Sequence, residues 1–170
     1  MRIALGLAFA LWTAAAGALE APNVVVISPQ LVTSGQPPEP SLASLGREGF
    51  AAVVYLEPTT WRDAIAREPE ILREQGIAFE KVPIHWQDPT GADYDAFAAA
   101  MKRVPAGKVL VHCQMNLQAS SMTFLYRVIA LGEAPDKAYE SVAGVWSPNP
   151  AWKKFIATEL ARANIAFEPY

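Results

Sequence analysis

The stretch Lys108–Arg127, KVLVHCQMNLQASSMTFLYR, holds the features that decide the fold. Its apolar run, Val109–Val111, is too short for a helix and predicts a buried strand. The polar loop that follows contains Cys113. Beyond that loop, apolar residues recur at spacings typical of a mostly buried helix that ends near Leu131. The sequence therefore predicts a strand, a tight loop and a helix, with the cysteine at the carboxyl end of the strand.

Cys113 lies where this pattern places a ligand, because α/β sheets bind ligands beyond the carboxyl ends of their strands. Free backbone amides and the dipole at a helix start favour an anion, and they also lower the pKa of a thiol. We therefore expect a thiolate whose pKa lies below the ~8.5 of a free cysteine, aimed at an oxyanion ester. The alternative is an inert thiol within the core, since free cysteines are among the most buried residues.

The pair His112-Cys113, followed by a loop and Ser120-Ser121, resembles the phosphate-binding loop of the protein tyrosine and dual-specificity phosphatases. That family's pattern is His-Cys, five residues, Arg, then Ser or Thr. The resemblance implies a cysteine-dependent phosphatase that acts on phosphomonoesters with Cys113 as nucleophile and without a cofactor. It also implies that Ser120 donates to the cysteine and eases its departure, or else caps the helix as Ser121 could. The residues expected to hold the substrate are His112, Gln114, Met115, Asn116, Leu117, Gln118, Ala119 and Ser120.

The chain departs from the family's pattern at the arginine, because position 119 is an alanine. A loop shorter by one residue would require the arginine at position 118, which is Gln118 and brings no charge. Arg127 lies about two turns further along the helix, roughly 12 Å away, and is a poor substitute. The arginine holds phosphoryl oxygens bidentately, so its absence predicts a weakened site. Asn116 replaces the usual mid-loop glycine and tolerates a left-handed backbone better than most residues.

Cysteine phosphatases also need an acid that protonates the leaving oxygen and later activates water. The segment Trp86-Gln87-Asp88 resembles the family's Trp-Pro-Asp loop, and it follows a predicted strand. We assign the acid role to Asp88, with Asp93 and His85 as second choices. Asp88 could instead be an ordinary turn residue before Pro89, and Asp93 a charge at a helix start.

Strands alternating with helices predict an α/β domain, a three-layer sandwich with a mainly parallel central sheet flanked by helices. The predicted strands cover residues 24–27, 31–33, 52–56, 77–84 and 109–111. Four of the predicted helices cover residues 61–67, 70–75, 135–142 and 149–162. Three more are expected directly after Ser41, from about residue 94, and after the loop that contains Cys113. This order is similar to that of small dual-specificity phosphatases over most of the chain. Gly35-Gln36-Pro37 resembles a turn in bacterial members and is expected near the cysteine loop.

The first 18 residues predict a cleaved signal peptide. Arg2 supplies the positive end, Ile3–Thr13 the apolar stretch, and Ala16-Gly17-Ala18 the small-residue cleavage signal. The apolar run is shorter than the ~20 residues that a membrane span needs. We therefore expect a phosphatase-like domain at 19–170 in the periplasm or secreted, without a stable membrane span; an uncleaved anchor is the alternative.

Composition excludes several other functions. A net charge of −3 and a pI near 5.4 give no basic surface for nucleic acid. His85 and His112 are the chain's only histidines and Cys113 its only thiol, so no metal constellation is expected. Three functions remain. The first is a cysteine phosphatase with unusual loop chemistry, and the second is an inactive pseudophosphatase that binds an oxyanion ester or a protein partner such as a phosphoprotein. The third is a sulfur-transfer protein, since rhodanese-like loops also place one cysteine at an anion-binding turn.

Overall fold

The computed structural model describes residues 19–56 and 65–170, and within them strands and helices alternate along the chain. The strands are β1 (Val25–Ser28), β2 (Leu31–Ser34), β3 (Phe50–Tyr55), β4 (Ala78–Lys81) and β5 (Lys108–His112). The helices are α1 (Glu39–Leu42), α2 (Glu68–Glu74), α3 (Gly91–Arg103), α4 (Leu117–Ile129), α5 (Pro135–Ala143) and α6 (Pro150–Arg162).

The strands form one sheet in the order β1-β2-β5-β3-β4, in which every neighbouring pair is parallel except β1 and β2. The last strand in sequence, β5, therefore lies in the middle, between β2 and β3. Their carboxyl ends are level, with Ser34 and Tyr55 flanking His112. The residue after β5 thus lies between two neighbouring strand ends, where α/β sheets place ligands.

Alternating residues of the central strands supply two separate cores. Val53 of β3 and Leu110 of β5 pack with apolar residues of α1 and α2 on one face. Val54 and Val111, one position further along, join the larger core with α3, α4, α5 and α6. Because successive side chains of a strand point to opposite faces, this division produces three layers. The predicted three-layer α/β sandwich is confirmed.

Among the predicted elements whose bounds differ from the structure, two show the physical reason clearly. The strand expected at 77–84 ends at Lys81, and Pro83 beyond it lacks the backbone donor that a continued ladder needs. The helix expected to follow Ser41 begins at Glu39, so Ser41 does not cap it. Its hydroxyl instead accepts a hydrogen bond from the backbone of Glu20 at 3.0 Å.

Of the other predictions, one agrees with the structure and two concern residues that lie wholly or mostly outside the described ranges. Asn149 caps α6 as predicted, accepting from the Trp152 amide at 3.0 Å. The predicted signal peptide and most of the helical turn predicted at 61–67 lie outside the described residues. Among the helices that are described, none has both the length and the apolar character needed to cross a bilayer.

Candidate active site

Cys113 lies directly beyond β5, at the start of the loop that leads into α4. Its backbone amide continues the sheet by donating to the Ser34 carbonyl at 3.3 Å. The helix begins at Leu117, after Asn116 turns the chain with a φ of 68°. The strand, tight loop and helix predicted around the cysteine are confirmed, and the thiol is 1% exposed at the bottom of the loop.

Four backbone amides of the loop converge on the Cys113 sulfur, namely those of Met115, Asn116, Gln118 and Ala119. Amides that point at one position from a turn and a helix start form a concave anion-binding site. The loop therefore presents fixed donors to any oxyanion that approaches the sulfur. We call the loop Cys113–Ala119 the cysteine loop.

Burial raises the pKa of the Cys113 thiol, although the four amides oppose this effect. The sequence-based expectation of a lowered pKa is therefore wrong. At 1% exposure, the cost of placing a negative charge away from water exceeds what uncharged amides return. A cationic side chain beside the sulfur is the feature that would reverse the balance.

Asn116 fixes the middle of the cysteine loop with its side chain. Its amide group donates to the Asn23 carbonyl at 2.6 Å and to the Thr33 hydroxyl at 3.1 Å. Asn23 in turn donates to the Met115 carbonyl at 2.9 Å. A glycine at position 116 would adopt the same backbone without strain but would provide none of its side-chain bonds.

The Gly35-Gln36 turn lies against the cysteine loop, as expected from the sequence. Gly35 forms an isolated antiparallel bridge with Met115, and the Gln36 amide donates to the Gln114 carbonyl at 3.0 Å. A side chain at position 35 would place its Cβ 2.7 Å from that same carbonyl oxygen and 2.8 Å from Pro22. The close approach of these two segments requires glycine.

No arginine takes the missing one's place within the parts of the chain described, 19–56 and 65–170. Ala119 is fully buried, and the buried Gln118 directs its amide toward the Ile84 carbonyl at 3.5 Å. The guanidinium of Arg127 is bound to Glu133, at 2.7 Å, and to α5. Arg127 is therefore no substitute, as predicted.

His112 is fully buried, and its ring pairs with a carboxylate of α2. Its Nε2 lies 2.7 Å from Oε1 of Glu68, which is 1% exposed. Its ring stacks on Tyr55, with centroids 4.6 Å apart and planes 9° from parallel. Glu68 also accepts from the Gln36 side chain at 3.0 Å. Sequence reasoning missed Glu68, because a glutamate before Pro69 is typical of a helix start and gives no further signal.

The two serines at the start of α4 bond to the helix itself. The hydroxyls of Ser120 and Ser121 donate to the Leu117 carbonyl at 3.1 and 2.9 Å. Neither caps the helix, since the cap residue is Asn116, so that prediction is wrong. The donation from Ser120 to the cysteine stays a prediction.

The three candidates for the acid, which lie in residues 85–90 or just beyond them, have different environments; we call residues 85–90 the acid loop. Asp88 is exposed to solvent. Asp93 is buried and forms a capping box with Thr90, so it acts as the helix-start charge that we considered. His85 places Nδ1 3.0 Å from Asp93 and is itself 60% exposed. Asp88 therefore remains the candidate whose carboxylate has no structural partner among the described residues. In the described ranges, no cluster of His, Cys, Asp and Glu could hold a metal ion.

Several solved structures are similar to this chain. A candidate phosphatase (DUF442) from Shewanella putrefaciens CN-32 is 29% identical, with a TM-score of 0.75 over 84% of this chain and 91% of that one. TpbA from P. aeruginosa is 21% identical, with a TM-score of 0.65 over 84% and 92%. The core catalytic domain of the PP-IP phosphatase SIW14 from S. cerevisiae is 14% identical, with a TM-score of 0.63 over 90% and 100%. At the last two identities the likeness concerns the fold alone.

The curated relatives are longer proteins. The "Beta-lactamase hydrolase-like protein" of Xylella fastidiosa strain Temecula1 is 31% identical over 113 residues, which are 63% of this chain and 25% of that protein. The chain thus matches about a quarter of that relative's length. No protein-family model matches the chain.

The sheet order, the cysteine loop after β5 and the similar structures together define the class. The chain has the α/β fold of the protein tyrosine phosphatase-like superfamily, which its tyrosine and dual-specificity-like structural neighbours share. Within that superfamily, it is similar to the DUF442 phosphatase over most of both chains.

Proposed function

We propose that this protein is a cysteine-dependent phosphatase of the tyrosine or dual-specificity type, which hydrolyses phosphomonoesters slowly. The observation that carries the proposal is the convergence of four loop amides on the Cys113 sulfur. In the proposal, these amides bind the equatorial oxygens of the phosphoryl group, and the sulfur attacks phosphorus in line with the leaving oxygen. Gln118 and Ala119, where an arginine would add charge, supply none.

In the proposed reaction, the Cys113 thiol first loses its proton to solvent. The thiolate then attacks phosphorus; an S–P bond forms, the P–O bond of the ester breaks, and Asp88 protonates the departing oxygen. In the second step Asp88 takes a proton from water, the hydroxide attacks phosphorus, and the S–P bond breaks to release phosphate and the thiolate. Burial raises the pKa of Cys113, so ionisation of the thiol opposes the first step.

The test is hydrolysis of p-nitrophenyl phosphate by the natural protein and three variants. We expect weak turnover that Cys113→Ser abolishes and vanadate inhibits. Losing one preorganised donor typically costs about 10²–10³ in rate, so a restored arginine should increase turnover by a similar factor. Ala119→Arg should do so if the loop has the longer spacing, and Gln118→Arg if it has the shorter one. The proposal fails if neither arginine raises turnover and the natural protein binds no vanadate.

A second candidate is an inactive pseudophosphatase that binds an oxyanion ester or a phosphoprotein. The raised pKa of Cys113 favours it, because a protonated thiol is a poor nucleophile but does not repel a bound anion. Calorimetric binding of a phosphotyrosine peptide distinguishes the two. Equal affinity in the natural protein and Cys113→Ser, with no turnover in either, would support this candidate over the first.

We also propose that residues 1–18 are a cleaved leader and that the mature protein, beginning near Leu19, lies outside the cytoplasm. The bonds that residues just beyond Leu19 make to the domain support this boundary: Glu20 donates to Ser41, and Pro22 accepts from Gly35 at 2.6 Å. Intact-mass measurement of protein from the cell envelope should give the mass of residues 19–170. A full-length species extracted with membranes would contradict the proposal.

A further inference from the structure

We propose that Glu68 is a positioning residue for the cysteine loop and acts through His112 and Gln36. Glu68 belongs to α2, on the opposite face of the sheet from α4 and 44 positions before His112. The inference rests on the proposed function, since it concerns how the oxyanion-binding loop is held. It adds a residue outside the His-Cys segment to the machinery of the site.

The contact between Glu68 and His112 is fully withdrawn from solvent. The two side chains are 1% and 0% exposed, and Oε1 lies 2.7 Å from Nε2. A carboxylate removed from water is costly unless it is paired and hydrogen-bonded, so its partners must be held closely. His112 and Gln36 satisfy one oxygen each. This arrangement constrains the imidazole more strongly than a surface pair could.

Glu68 reaches the chain on both sides of the nucleophile. Through His112 it holds the residue that precedes Cys113. It also accepts a hydrogen bond from the side chain of Gln36. The backbone amide of Gln36 in turn donates to the carbonyl of Gln114, the residue directly after Cys113. One carboxylate therefore connects to both residues that flank Cys113 in the chain, to His112 through its ring and to Gln114 through Gln36.

Such positioning matters more here than in a site with an arginine. The donors of the cysteine loop are backbone amides, whose directions are fixed by peptide orientation and cannot be adjusted by a flexible side chain. Stacking on Tyr55 and the bond from the Leu56 amide to the His112 carbonyl, at 2.8 Å, already limit rotation at His112. Glu68 fixes the remaining freedom of its ring. A small misplacement of preorganised groups can reduce the rate by roughly 10²-fold.

The test compares Glu68→Gln with Glu133→Gln. The first variant keeps the shape of the side chain, but its one oxygen and one NH2 group replace two acceptor oxygens, so the NH2 group must face either the Gln36 amide or Nε2 of His112. The second is a matched carboxylate-to-amide change in the contact with Arg127, beyond the far end of α4. We expect Glu68→Gln to raise the inhibition constant for vanadate by about 10-fold or more and to lower kcat for p-nitrophenyl phosphate. Glu133→Gln should leave both unchanged.

A merely structural role predicts a different outcome. Partial unfolding lowers the active fraction, and so kcat, but leaves the vanadate inhibition constant of the folded molecules unchanged. The double variant Glu68→Gln with Gln36→Glu restores one carboxylate and one amide to the contact and should recover vanadate affinity. An unchanged inhibition constant in Glu68→Gln would overturn the proposal.

Failure of the proposed function gives a separate result. If the natural protein neither turns over nor binds vanadate, the phosphatase reading fails, and the rate of Cys113 alkylation by iodoacetamide becomes the measure of loop position. A rate in Glu68→Gln that differs about 10-fold from that in the natural protein and in Glu133→Gln supports positioning. Equal rates in all three proteins would overturn it.

Discussion

The cysteine loop and the acid loop approach the same edge of the sheet but are held in opposite ways. The cysteine loop is fixed along its length by buried side chains, by the Gly35 bridge and by Asn23. The acid loop is anchored near its start by two backbone carbonyls: that of Ile84 accepts from Gln118 at 3.5 Å, and that of Trp86 accepts from Trp152 at 2.9 Å. Asp88 itself is exposed.

This difference fits the two roles that we propose for these loops. An oxyanion site must hold its donors in place before the substrate arrives, because reorganisation during the reaction reduces the rate. A proton donor must reach a leaving group and then a water molecule, and both are accessible to an exposed side chain at a loop tip. Substitutions in the cysteine loop should therefore affect oxyanion binding and stability, whereas substitutions in the acid loop should affect turnover.

The largest expected effect is that of Asp88→Asn on turnover. Loss of a general acid typically costs about 10²–10⁴ in rate, and the loss should be greater for phenyl phosphate than for p-nitrophenyl phosphate, whose leaving group needs less protonation. Vanadate affinity should not change. Steady-state kinetics on both substrates test this, with the exposed Asp136→Asn as control. Equal losses on both substrates would remove Asp88 from the acid role.

Asn116→Ala should be the most destabilising single change in the cysteine loop. It removes two buried hydrogen bonds, worth about 1 kcal/mol each, and puts an alanine into a left-handed backbone at roughly 1 kcal/mol more. Urea unfolding should show a loss of about 3 kcal/mol. Asn116→Gly should be more stable than Asn116→Ala by the backbone cost alone, because glycine adopts the left-handed backbone but forms neither side-chain hydrogen bond.

The matched control for this change is Asn164→Ala. Asn164 also has a positive φ, 59°, but it is exposed after the end of α6. It should show the backbone cost alone, so an equally large loss at position 164 would show that the loop's side-chain bonds contribute nothing.

The buried thiol predicts a pH dependence of stability. Burial raises the pKa of Cys113 in the folded protein, so the unfolded chain loses its proton first, near pH ~8.5. The stabilisation is complete below that pH and is lost as pH rises toward the folded pKa, at about 1.4 kcal/mol per unit. Unfolding free energies between pH 7 and about 10 measure this slope.

Cys113→Ser is the control, because serine does not ionise in this range. Its slope over the same pH interval should be smaller than that of the natural protein. Burial raises the pKa of Tyr94 to about 12, but a tyrosine affects stability only at higher pH. Identical slopes in both proteins would show that the thiol ionises equally easily when folded and unfolded.

The smallest expected effect concerns the end of the acid loop. Thr90→Ala removes one half of the capping box at the start of α3 and should cost about 1 kcal/mol of stability. Thermal unfolding measures it, with the exposed Thr158→Ala in α6 as control. Turnover at saturating substrate should change little. A loss of turnover without a loss of stability would instead show that Thr90 sets the position of Asp88.

The sequence predicted the fold because its signals were local. The run Val109–Val111, the alternation of strands with helices and the Asn149-Pro150 cap each specify an element within a few residues. The cysteine's position after a strand also followed from local pattern. The predicted bounds of an element were wrong where two signals competed. Ser41 is a typical helix cap, but Pro40 before it already suits the first helical turn, and the helix begins at Glu39.

The site could be predicted only as far as neighbouring residues specify it. The direction of the Cys113 pKa shift depends on how deeply the sulfur is buried, which is a property of the packed domain. The Glu68 contact joins residues 44 positions apart, and a buried pairing over that separation leaves no periodicity in the sequence. The fold brings these groups together through the parallel order of β2, β5 and β3.

The buried orientation of Gln118 has an evolutionary consequence. A glutamine codon becomes an arginine codon through a single base change, so the charge could return in one mutational step if the shorter loop spacing holds. The side chain it would replace is 2% exposed, and an unpaired guanidinium there would be destabilising until an oxyanion neutralised it. In such a descendant, phosphate would act as a folding ligand as well as a product, and selection for stability and selection for catalysis would depend on the same anion.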